Sequence, residues 1–139
     1  MEYLHSNKEL LDLLIDDLGI SRSLAWKFHD CVRNYLFNHL LPVPIFFVVD
    51  IIDSNEDIIG VFRGYEEDRI YLSKNIFELN EVGRIFYVMH ELVHFVDFKM
   101  NNKLDLTEYE TDQSAKDFLI KCGIWNEMYH KIPYPYPIK

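Results

Sequence analysis

Apolar positions recur along this chain at two spacings, and the change from one to the other divides it into helical and extended stretches. Leu10, Leu11, Leu14, Ile15 and Leu18 repeat at three- and four-residue intervals, which is the spacing of one helix face. Ser6 and Glu9 precede this run three residues apart and form a capping-box pair for the helix start, and Gly19 supplies a stop. A second helix is predicted from Ser21, with Leu24, Phe28, Val32, Tyr35 and Leu36 on its apolar face. It must end near Leu41, because Pro42 and Pro44 disfavour helix around them.

Extended patterning follows. Residues 45–52 are dense in Ile, Val and Phe and predict a strand, residues 53–56 a turn, and residues 58–65 a second strand. A second turn at 66–68 leads into a short third strand at 69–73. Connections this short predict an antiparallel meander. Helical spacing returns from 79–81 to 101–102. There Val82, Ile85, Phe86, Met89, Val93 and Val96 form a stripe, and Asn101 and Asn102 suit a left-handed stop. Thr107 and Glu110 form another capping box, opening a fourth helix through Phe118 and Leu119 to Gly123, with room for a further turn in 124–131. The tail at 132–139 alternates proline with tyrosine and must be extended. The predicted class is α+β: two N-terminal helices, a small antiparallel β-meander of about three strands, and two C-terminal helices.

Bulk properties narrow the function classes. The 139 residues are 49% hydrophobic and 15% aromatic, a composition that folds and fits one domain over 1–139. A net charge of −9 argues against nucleic acid, whose phosphates need a cationic surface. No apolar run is long enough to span a bilayer, and the acidic, polar start does not read as a secretory leader, so none is expected. Cys31 and Cys122 both fall in helical apolar patterns and are expected to be free thiols of a reducing cytoplasm.

The chemistry concentrates in one stretch, His90-Glu91-Leu92-Val93-His94. On a helix, residues four apart lie one above the other, so the two imidazoles converge and Glu91 stands beside them. Two neutral imidazoles and an adjacent carboxylate are what a hydrolytic zinc site takes from a single helix. A catalytic zinc usually has a third protein ligand. The metzincin pattern would require Gly at 97 and His at 100, where this chain has Asp97 and Met100. The fourth helix instead offers Glu108, with Asp112 one turn on to orient a ligand histidine. Glu110 is the rival, but Ser114 one turn beyond it is a weaker partner for an imidazole N–H.

Taken with Glu108-Tyr109-Glu110-Thr111-Asp112-Gln113-Ser114-Ala115-Lys116, the motif resembles the gluzincin pattern of HExxH followed by ExxxD. It is similar to the corresponding helices of the membrane prenyl-protein peptidases and of the small soluble ImmA/IrrE-type and minigluzincin peptidases. Gly60-Val61-Phe62 and Arg69-Ile70-Tyr71-Leu72 resemble the hairpin before the active helix in the ImmA/IrrE group, so the likeness covers residues 58–120. It implies a zincin-like fold and one Zn2+ per chain. It also implies His90, His94 and Glu108 as ligands, Glu91 as catalytic base, and Asp112 as partner of a ligand histidine. Thr111 departs from the usual Ala and Val93 from a frequent Gly, and the two N-terminal helices have no counterpart.

The expected activity is hydrolysis of peptide bonds, with Glu91 moving the proton. An oxyanion donor is expected from His130 or Tyr129, then Tyr109, Tyr134 or Tyr136. The expected partner is a peptide or protein substrate, bound in extended form along an exposed strand edge in one of the last two strands. The Pro/Tyr tail is a candidate self-inhibiting or docking segment. The alternative function is a non-catalytic, metal-stabilised binding protein, a degenerate peptidase that sequesters a partner. Such a site would be closed by four protein ligands and would have no use for Glu91.

Overall fold

The structure is a computed structural model that describes residues 3–55, 57–63, 68–128 and 130. The tail at 132–139, Tyr129, most of the 66–68 turn and the extreme N-terminus lie outside the described residues. The class is α+β. Strand β1 (Tyr3–Lys8) leads into α1 (Leu10–Asp12), which widens into a π-helical turn over Leu13–Asp17. Helix α2 (Arg22–Asn38) follows, then strands β2 (Ile45–Val49), β3 (Gly60–Arg63) and β4 (Arg69–Ser73). A 3-10 turn (Lys74–Glu78) precedes the long helix α3 (Glu81–Asn101), and α4 (Glu108–Lys121) completes the set.

Two expectations need correction. The helix expected from Ser6 begins only at Leu10, because Tyr3–Lys8 pairs antiparallel with β2. The free edge of an apolar strand outcompetes a local capping signal, as tertiary context commonly does. The sheet is also mixed rather than an antiparallel meander, with order β1-β2-β4-β3. Strand β4 returns from β3 antiparallel but inserts beside β2, to which it runs parallel. The ten residues between β2 and β3 allow this, because they carry the chain past the central position and leave it open. A reversal at Asp53 and Ser54, both with positive φ, begins that excursion.

The insertion of β4 follows from its burial. Ile70 and Leu72 face the main core together with Phe46 and Val48 of β2. Tyr71 faces the other way with Val49 and Ile52, over a smaller apolar cluster that also takes in Phe47. Both faces are therefore covered, and a strand buried on both faces belongs at a sheet centre. The helices contribute Leu13, Phe28, Val32, Phe86, Phe95 and Leu119 to the main core, and each phenylalanine so buried contributes about 1.5–3 kcal/mol. Arg84 ties the end of the first helical segment to the start of α3. Its guanidinium donates to the carbonyl oxygens of Leu18 (2.7 Å), Phe77 (2.9 Å) and Leu79 (2.9 Å). Among the described residues no helix is long and apolar enough to cross a membrane.

Candidate metal centre

Helix α3 is buried all round from Ile85 to Asp97, so its polar residues sit inside the protein rather than at a surface. Asn80 caps it, accepting the Gly83 N–H at 2.8 Å, and Asn102 ends it at φ 60. Phe62 of β3 packs its ring edge on Phe95 and Phe98, each at 5.7 Å. This contact brings β3 against the helix beside His90, Glu91 and His94, which are 5%, 3% and 7% exposed. The imidazoles are 4.8 Å apart and nearly perpendicular.

Helix α4 delivers the carboxylates. Thr107 accepts the Glu110 N–H at 3.0 Å while Glu110 accepts the Thr107 N–H at 2.8 Å, so the expected capping box is present. The first helical residue after it is Glu108. Its Oε2 lies 3.1 Å from His90 Nε2 and its Oε1 2.9 Å from His94 Nε2. One turn on, the fully buried Asp112 accepts a hydrogen bond from His90 Nδ1 at 2.7 Å. That bond fixes the ring and aims Nε2 at Glu108, to which the protonated imidazole donates. Glu110 is occupied by the cap and takes no part.

The charges follow from this packing. Burial would push His90 down, but its hydrogen bonds to Asp112 and Glu108, helped by the charge of Glu91, carry it up to about 10. Hydrogen bonds from His90 and His94 hold Glu108 well below the usual carboxylate range, although its side chain is 65% exposed and solvent screens part of that attraction. Burial pushes Glu91 up, against the opposing charges of the two histidines. Glu91 Oε1 is buried without a hydrogen-bond partner among the described residues, and so is His94 Nδ1. A carboxylate kept dry and half unpaired is costly. Space for it is made by Gly60, where a Cβ would lie 3.2 Å from Glu91 Cγ, Glu91 Oε2 and a Leu72 methyl.

Among the described residues, His90, His94 and Glu108 are the group whose donor atoms could hold a metal ion, all within 4.8 Å of one another. The donor set fits a divalent cation: two imidazole nitrogens, one backed by a carboxylate, and a third donor of opposite charge. By itself that set suits several first-row metals. A cleft of about 150 Å³ opens on it, lined by Gly60, Val61, Phe62, Leu104 and the four site residues. A larger cleft of about 270 Å³ lies between Glu9, α2 and the start of β2. Its His29 lies against the neighbouring Asp30 and it gathers no ligand set, so convergence of donors rather than volume picks the site.

No protein-family model, curated protein or solved structure matches this chain. The likeness to gluzincins therefore rests on the motif residues alone. The structure brings His90, Glu91, His94, Glu108 and Asp112 together. His130 is not among the residues lining the cleft; its Nδ1 accepts the Asn126 N–H at 2.8 Å and its ring lies against Trp125 at 5.7 Å. Tyr109 is exposed on α4. Sequence reasoning missed Gly60 as a spacer for Glu91 and gave no role to Asp97, a buried carboxylate on the same helix.

Proposed function

We propose that this chain is a zinc-dependent metallopeptidase of gluzincin type with a zincin-like fold, acting on peptides bound in extended form. The observation that carries the reading is the meeting of the Glu108 carboxylate with both Nε2 atoms, with Asp112 behind His90. Three protein donors converge among the described residues, whereas structural zinc sites usually close with four. This favours an enzyme over a metal-stabilised binding protein. A zinc ion held there supplies Lewis acidity toward a water and a peptide carbonyl.

The chain's own residues do the rest. Glu91, dry and with its carboxyl pushed up, is suited to take a proton at Oε1 and return it to the leaving amine. Asp112 holds the His90 Nδ1–H, so Nε2 is the atom that would give up its proton to hold a metal. Among the described residues strand β3 has β4 on one side only, and Gly60, Val61 and Phe62 line the cleft. A substrate added along that outer edge would pass the site in the extended form that proteolysis requires. The two free cysteines fit a reducing compartment, and we read the protein as cytoplasmic.

Substitution Glu91→Gln tests the proposal. We expect zinc content to be unchanged and hydrolysis of a quenched-fluorescence peptide library to fall by about 10²–10⁴. Full activity in that variant would refute the mechanism.

A further inference from the structure

Glu108 has to be held against two buried imidazoles, yet the connection that delivers it, residues 102–107, is exposed except for the half-buried Leu106. Glu108 is also the first residue of its helix, and helix ends fray. We propose that Asp97 is the positioning residue that fixes Glu108 relative to the two histidines. The inference rests on the metal-site reading above but not on peptidase activity.

Asp97 lies on α3 three residues beyond His94 and is 6% exposed. Its Oδ2 accepts the backbone N–H groups of Asp105 (2.8 Å) and Leu106 (2.9 Å). Its Oδ1 accepts Asn101 Nδ2 at 2.9 Å, and the same amide donates to the Asp97 carbonyl oxygen at 3.1 Å. The carboxylate thus holds the last residue of one helix and the loop just before the next. His94 and Asp97 belong to one rigid helix, and Leu106 is followed directly by the capping residue Thr107. Beside the Asp112–His90 bond that joins the two helices, the route from His94 to Glu108 therefore runs through the Asp97 side chain and a capped helix start, not through free loop.

The residue type fits the task. Three N–H donors meet here, and a carboxylate is acceptor on both oxygens, whereas an amide would turn an NH2 group toward at least one donor. Hydrogen bonds to a charged acceptor are also the stronger kind. The mechanism makes no other use of this buried carboxylate.

The test compares wild type, Asp97→Ala, Asp97→Asn, Glu108→Ala and Ile52→Ala. Ile52 is fully buried in the smaller cluster, away from both ligand helices. Zinc affinity is read by competition with a chromophoric chelator, coordination by the visible spectrum of the Co2+-loaded protein, and stability by urea unfolding of the metal-free protein. Asp97→Ala is expected to weaken zinc about 10–100-fold and to move the Co2+ spectrum toward that of Glu108→Ala. Asp97→Asn is expected to lose less, and Ile52→Ala to be less stable with wild-type affinity and spectrum. Wild-type affinity and spectrum in Asp97→Ala would overturn the proposal, and so would an equal loss of affinity in Ile52→Ala. If Asp97→Ala does not fold, Asp97→Asn decides, and a wild-type affinity and spectrum there is the overturning result. If Glu108→Ala binds zinc as wild type does, the metal site itself fails. If only Asp97→Ala and Asp97→Asn leave binding untouched, this inference fails alone.

Discussion

Helix α2 with its C-cap residue His39, and helix α3, each carry two histidines along an apolar helical pattern, and they treat them in opposite ways. Helix α2 buries a narrow stripe, Ala25, Phe28, Val32 and Leu36, and leaves its other faces wet. Its histidines are satisfied locally. His39 Nδ1 donates to the Tyr35 carbonyl oxygen one turn back at 2.9 Å, and His29 Nδ1 lies 3.4 Å from the adjacent Asp30 carboxylate. Helix α3 is enclosed, and among the described residues the hydrogen-bond partners of His90 and His94 lie on a different helix, 14 to 22 residues away in sequence. An imidazole served by its own turn can be carried by any surface helix. One that is dry and served only from a distance requires another element to be built around it.

The sharpest way to break this contrast is to remove one histidine from each helix. His94→Ala is expected to cost more zinc affinity than the about 10–100-fold typical of losing an outer partner, while His39→Ala leaves affinity unchanged. Chelator competition measures both, and comparable losses would put the two helices in one class. Next in size is Asp112→Ala. It should weaken zinc about 10–100-fold and destabilise the metal-free protein by about 1–3 kcal/mol, because the buried His90 Nδ1 loses the acceptor that Asp112 provides. Urea unfolding checks the second part.

The smallest effect is a proton count. Without metal His90 keeps its proton up to about 10, and a metal ligand must give it up. Zinc loading at about pH 8 should therefore release protons, and affinity should rise with pH toward 10. Calorimetry in two buffers of different ionisation heat reads the number, and a proton-neutral loading would contradict the geometry. The same shift sets a sign for stability. The folded value lies above the ordinary 6.5, so this contribution to the metal-free protein is whole below 6.5 and is lost as pH rises through about 10. Asp112→Ala should flatten that slope.

Much of α3 and α4 was legible in the sequence, because their signals are local. The Asn102 stop, the Thr107–Glu110 box and the spacing of His90 and His94 each depend on residues within a turn of one another. Strand β4 was read at its observed bounds, Arg69–Ser73, for the same reason. What escaped was pairing. Nothing in residues 3–8 announces that β2 will offer them an edge, and nothing local says that β4 slots between β2 and β3. Asp97 was passed over because its partners are backbone N–H groups of Asp105 and Leu106, which any residue type provides. Gly60 was noticed only within a motif, since its role is the space it leaves for Glu91 across an interface.

The central place of β4 has a bearing on how the chain is made. During synthesis β2 emerges well before the strand that will cover its inner edge, and until residue 73 is free of the ribosome Phe46 and Val48 border an open row of backbone donors and acceptors. Such a border invites pairing with a neighbouring nascent chain. The vulnerable interval in this protein's life is therefore co-translational, and it closes only when β4 takes its place beside β2.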